Sequence, residues 1–176
     1  MTTTLPELPS GKLGLLIAPG GARETMMELT AVLAQQGPVC VIDGGNQFAA
    51  YQVARHLRRQ TPQLEAALGR ITLARAFTCY QVVALLTQTP ATAVPLLALD
   101  LLATFTDESV PVTESFRLWR LVCHHLRRLR HDAPVIVSLR PPPQPERSGL
   151  VSLLQEVADV IQMAEASPVA RNLTLF

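Results

Sequence analysis

Cysteine is scarce in this sequence: Cys40, Cys79 and Cys123 stand far apart and form no Cys-x-x-Cys pair. An odd, widely spaced set excludes a closed disulfide framework and a cysteine-based zinc site, so the three read as small buried hydrophobes in a reducing cytoplasm. Excess charge is missing too, with 15 Lys and Arg against 14 Asp and Glu and a net charge of +1. That balance excludes a chain coated with basic residues for indiscriminate nucleic-acid binding, while leaving room for a local patch. The opening MTTTLPELPSGK lacks the basic start and apolar run of a signal peptide. The longest apolar stretch, Ala93 to Phe105, is broken by Pro95 and Asp100 and is too short to span a bilayer, so no membrane anchor is expected. Internal repeats are absent, as are a Gly-x-Gly-x-x-Gly fingerprint and a nucleophile turn with Ser-His-Asp or Cys-His partners. His124 and His125 are adjacent, cannot face one ion from a helix and have no matching third ligand, so no metal site is expected.

What is present is enough apolar material for one domain. The chain has 176 residues, 48% of them hydrophobic and 16% charged, which is sufficient to enclose a core and offset chain entropy. Short runs rich in Val, Ile and Leu alternate with segments of helical period, the pattern of βα units around a mainly parallel sheet with helices on both faces. Strands are expected at Leu13 to Ala18, Val39 to Asp43, Ile71 to Ala74, Leu96 to Asp100, Val135 to Leu139 and Val160 to Met163. Helices are expected over Glu24 to Gln35, ended by Gly37-Pro38, and over Gln47 to Arg59, Tyr80 to Thr87, Glu114 to His131 and Leu150 to Ala158. Thr104 to Thr113 and Pro141 to Gly149, the latter reading PPPQPERSG, are loops. Both follow carboxyl ends of strands, where open α/β sheets place their ligands. Residues 1–176 thus form one domain, with a lead-in over 1–10 and a tail over 166–176 that either docks on a neighbouring subunit or folds back on its own domain.

The segment KLGLLIAPGGARETMMELTAVLA has the strand, glycine turn and helix of a phosphate-binding loop. VCVIDGGNQFAAYQVARHL, RITLARAFTCYQVVALL, PLLALDLLATF, ESFRLWRLVCHHLRRLR with PVIVSL, and ADVIQMAE follow it. In that order they resemble the successive core segments of the RecA-type recombinases over most of residues 11 to 165. The resemblance implies a three-layer α/β P-loop core, with Mg-ATP as the ligand of active relatives.

Chemistry on that pattern needs Gly-x-x-x-x-Gly-Lys-Ser/Thr: glycines for close backbone approach, a lysine to neutralise phosphate and a hydroxyl for magnesium. This sequence reads Ala18, Pro19, Gly20, Gly21, Ala22, Arg23, Glu24, Thr25, so only Thr25 keeps its functional identity. Arg23 replaces the second glycine and Glu24 replaces the lysine. Unit charges about 4 Å apart interact by roughly 4 kcal/mol at an effective dielectric near 20, so exchanging attraction for repulsion disfavours triphosphate by several kcal/mol. The resemblance also implies an acidic residue after the second strand to orient the attacking water. Gly45 of Asp43-Gly44-Gly45-Asn46 falls there. Asp100 matches the acid that holds the magnesium shell, followed by Leu101 rather than a small polar residue. Plainer readings stand beside these. Asp43 and Asp100 are as well suited to capping strand ends, and Glu24 is favoured in a first helical turn by the helix dipole.

On the fourth expected helix, Arg117, Arg120, His124, Arg127, Arg128 and His131 recur at three- and four-residue intervals, opposite Leu118, Val122, Leu126 and Leu129. The stripe is either a surface for phosphates or an acidic partner, or a solvated face whose arginines meet nearby carboxylates. No aromatic residue interleaves it, so base stacking is not indicated. Arg140 and Arg147 are the basic residues of the loop after the fifth strand. In the family, DNA-contacting loops follow the strands ending near Asp100 and Leu139; both are short here.

The expected protein is therefore a pseudo-ATPase without catalytic residues or an obligatory cofactor, with a vestigial nucleotide site at Gly20, Gly21, Arg23, Glu24, Thr25 and Asp100. Its partner would be a RecA-like paralogue or a second copy of the chain, in DNA recombination or repair, with weak DNA contact at most. Two alternatives remain: a weak Mg-ATP hydrolase that recruits Arg23 or a neighbour's arginine, and an α/β binding module unrelated to recombination.

Overall fold

A computed structural model describes residues 8–164. Six strands form one sheet: β1 (Leu13–Ile17), β2 (Val39–Asp43), β3 (Ile71–Arg75), β4 (Leu96–Leu99), β5 (Val135–Leu139) and β6 (Val160–Met163). Their spatial order is β3-β2-β4-β5-β1-β6, and every adjacent pair is parallel. Parallel neighbours require crossovers, supplied here by α1 (Arg23–Gln36), α2 (Ala50–Gln60), α3 (Leu64–Leu68), α4 (Cys79–Gln88), α5 (Val112–Arg130) and α6 (Gly149–Gln155).

Strand side chains alternate between two cores. Leu16, Val41, Leu97 and Leu99 meet Met26, Met27, Val53 and Leu57 of α1 and α2. Leu13, Leu15, Ile42, Ala98 and Val137 meet Val82, Leu86, Leu118, Trp119, Val122 and Leu150 of α4, α5 and α6. Helices therefore cover both faces, which explains why the central strands read as continuous apolar runs instead of alternating ones. The single tryptophan, Trp119, packs edge-on against Phe105 at 4.8 Å and donates its indole N–H to the Leu150 carbonyl at 2.8 Å, joining α5 to α6. No helix of the described residues is long and apolar enough to cross a membrane.

All six expected strands form, within a residue at their ends. The helix expected from Gln47 begins instead at Ala50, because the buried Asp43 carboxylate accepts hydrogen bonds from the Gln47 and Phe48 amides and holds that stretch as a loop. Helix α3 was not expected: five residues are too short to display a period. The two expected loops contain short 3-10 turns, Ala103–Thr106 and Pro145–Arg147. Helix α4 has a sequence-encoded start. The Thr78 hydroxyl accepts from the Gln81 amide while the Gln81 side chain accepts from the Phe77 amide. The tail over 166–176 lies outside the described residues, as does most of the lead-in.

Candidate functional site

The turns after β1, β2, β4 and β5 converge at the carboxyl edge of the sheet. Three non-glycine residues there have left-handed backbones: Ala22 (φ 54), Asn46 (φ 54) and Asp100 (φ 46). Such conformations are costly for L-residues, and they are clustered here around one spot.

At its centre is Asp100, whose side chain is fully buried. Its amide donates to the Ser138 hydroxyl at 3.0 Å, and its Oδ1 accepts the Arg140 amide at 3.1 Å. Oδ2 lies 2.6 Å from Nη2 of Arg140. That contact is one of charge, since no N–H is aligned on Oδ2. Two glycines flank the carboxylate. A Cβ on Gly21, itself at φ +70, would stand 3.3 Å from Asp100 Cγ, and one on Gly45 would stand 2.3 Å from Oδ2. Gly45 thus has no side chain because Asp100 fills the room for one.

Asp43, also buried, faces its own loop. Besides the two amides it binds Nε of Arg75 at 3.2 Å, and Arg75 donates to the Phe48 carbonyl at 3.0 Å. Its part is to fasten the β2 loop to β3.

Between the β1, β4 and β5 turns lies a cavity of about 500 Å³. Asp100, Arg140 and Thr106 give it polar groups, and Pro19, Ala103, Pro141 and Pro143 give it apolar walls. Of the expected nucleotide-site residues, Asp100 lines this cavity and Gly21 packs directly on Asp100. Gly20 is exposed in the turn that follows Pro19. Arg23 and Glu24 are exposed in the first turn of α1, Thr25 is half-buried, and none of the three lines the cavity.

The basic residues part company. Arg120 and Arg127 are exposed on α5, as is His124. Arg117 forms a two-pronged pair with Glu114, with both contacts at 2.7 Å, and that bond holds the Glu114 carboxyl below its usual range. Two residues expected on an interaction surface need correction. Arg128 turns back to cap α4, donating to the Leu86 and Thr89 carbonyls at 2.9 and 3.0 Å. Arg147 is only 3% exposed. Its guanidinium donates to the Phe105, Asp107 and Val110 carbonyls and to the Ser115 hydroxyl, at 2.6 to 3.2 Å. These bonds tie the loop after β4 to the loop after β5, and the Gln144 amide adds a bond to the Thr106 carbonyl at 3.0 Å. A polar loop sequence gave no sign of this, because the partners are backbone carbonyls brought up by folding.

Sequence reading also missed that Arg140 belongs to Asp100. The signal was strand register: β4 and β5 run parallel with Leu96 opposite Val135, so position 100 falls opposite Leu139, one residue before Arg140.

Comparison with protein-family models gives no match, and neither does comparison with curated proteins.

Proposed function

We propose that this chain is a RecA-like pseudo-ATPase, an accessory or regulatory subunit that keeps a recombinase-type core and acts through protein contacts in DNA recombination or repair. The reading is supported by a glycine turn after β1 that packs against the acid ending β4, with β5 running between those strands.

The single observation that carries it is the commitment of Asp100 to Arg140. A magnesium–triphosphate site needs a carboxylate free to organise the metal's water shell and a cation at the phosphates. Here the carboxylate already has a guanidinium counter-ion, Gly45 offers no side chain, and the RecA-type pattern, laid on this sequence, puts Glu24 where the cation is required. These residues do not fit Mg-ATP, and no hydrolytic step is assigned to them.

A surface suited to partners is the outer face of α5, where Arg120 and Arg127 are exposed. Guanidinium groups there suit an acidic surface on a recombinase paralogue or a second copy of the chain. DNA contact would be weak, since Arg147 is internal and Arg140 alone is left exposed of the two basic residues of the loop after β5.

Titration of the purified chain with a fluorescent ATP analogue and magnesium tests the reading. No saturable signal is expected. Micromolar binding with turnover that vanishes in Asp100→Asn overturns it.

A further inference from the structure

We infer that the cavity between the β1, β4 and β5 turns binds a small organic oxyanion, a carboxylate or phosphate monoester on an apolar body, through the guanidinium of Arg140. The inference does not depend on the pseudo-ATPase reading. It rests on how differently the two charged groups of the cavity are placed.

Asp100 is wholly buried, with its charge answered by Arg140 and one oxygen bonded to the Arg140 amide. Arg140 has 44% of its side chain exposed and lines the cavity. Among the described residues, the only polar contact of its guanidinium is Nη2 to Asp100 Oδ2. A guanidinium carries five N–H donors in a rigid fork, so a free edge remains. Two parallel N–H groups on that edge match the two oxygens of one carboxylate or phosphate.

The charge of Asp100 keeps the guanidinium beside it before any ligand arrives, which lowers the ordering cost of binding. The loops on either side are fixed by the Arg147 bonds, so the walls are formed in advance. The side chains of Pro19, Pro141, Pro143 and Ala103 are C–H surface, suited to an aromatic ring or short aliphatic body. A volume of about 500 Å³ accommodates such a molecule. One fork with no lysine beside it serves a single oxyanion and not a chain of phosphates.

The test is NMR titration of the full chain with benzoate and with phenyl phosphate, both without magnesium. Saturable shifts at Gly20, Gly21, Ala103 and Arg140 are expected at roughly millimolar ligand, as suits so small a molecule. The probe that binds more tightly identifies the oxyanion. Arg140→Ala should weaken binding by about tenfold or more, and Arg140→Lys should weaken it through loss of the fork. Pro143→Glu, an exposed position, should block the cavity with the pair intact, while Arg58→Ala, at an exposed position of α2 outside the cavity lining, should leave probe affinity unchanged. Absence of saturation with both probes overturns the inference, as do shifts confined to α5 or affinity unaltered in Arg140→Ala and Pro143→Glu. Single-stranded DNA that binds at Arg140 while neither probe does overturns it as well. Magnesium-dependent ATP binding would defeat the pseudo-ATPase reading alone; failure of both probes leaves that reading standing.

Discussion

Asp100 and Gly45 exclude each other's side chains: the Asp100 Oδ2 sits 2.3 Å from where a Cβ on residue 45 would be. The acid at position 100 after β4 and the glycine at position 45 after β2 are therefore one structural fact. Gly45→Ala is expected to cost about 1–3 kcal/mol by overpacking. Asp100→Gly removes the obstructing group and suits the φ of 46. In that background the Gly45→Ala penalty should largely disappear, and a urea-denaturation double-mutant cycle measures this. Additive effects would mean that the two positions do not share space.

Removing Arg140 leaves the buried Asp100 without its counter-ion. Loss of one member of a buried pair costs about 3–5 kcal/mol, and the exposure of Arg140 argues for the lower end. Arg140→Ala should lower the urea midpoint accordingly, and Asp100→Asn should cost less because the neutral amide needs no cation. Equal losses in the two variants would contradict the asymmetry in burial.

Arg147 is the brace between two loops, and each of its acceptors is a neutral oxygen. Arg147→Met should cost about 2–4 kcal/mol by stranding those acceptors. Arg120→Ala, at an exposed position, should stay within about 0.5 kcal/mol of the parent. Thermal denaturation of the two side by side distinguishes a brace from a surface arginine.

Burial holds the His125 imidazole below its ordinary value of 6.5, helped by the positive charge of Arg128 and by His124. The folded protein then binds fewer protons at this site than the unfolded chain. Stability should consequently fall as pH drops through the ordinary histidine value and level off below the folded one. In His125→Gln that slope should flatten between about pH 7.5 and pH 5, as read from urea midpoints. The Thr87 hydroxyl donates to the Val83 carbonyl, so its oxygen accepts from Nε2 at 3.1 Å, a contact that both the neutral and the protonated ring can make.

The thiols should label in an order set by burial. Cys123 is pushed up to about 11 by burial, so little thiolate exists near neutrality. Cys40, which is only half-buried, should alkylate first, with Cys79 and Cys123 lagging, as peptide mass spectrometry can follow. Fast labelling of Cys123 in the folded chain would contradict its placement in the α5 core.

Much of this architecture was legible. Runs such as VCVID and VIVSL could satisfy only a strand buried on both faces, and Gly37-Pro38 could only end a helix. Residues whose role depends on a distant neighbour were not legible. Asp43 displaced the start of α2 through amides four and five residues on, and Arg147 reads as a loop cation until folding surrounds it with carbonyls. Asp100 could be found as the acid ending an apolar strand, but its partner followed only from the adjacency of β4 and β5.

The place of β1 in the sheet has a consequence for how the chain is made. Its neighbours are β5 and β6, the last two strands of the described residues. A ribosome emitting this protein releases LGLLI long before VIVSL and VIQM exist. Such a nascent segment stays greasy and unpaired through most of elongation, a window in which it is prone to aggregate or to be held by a chaperone.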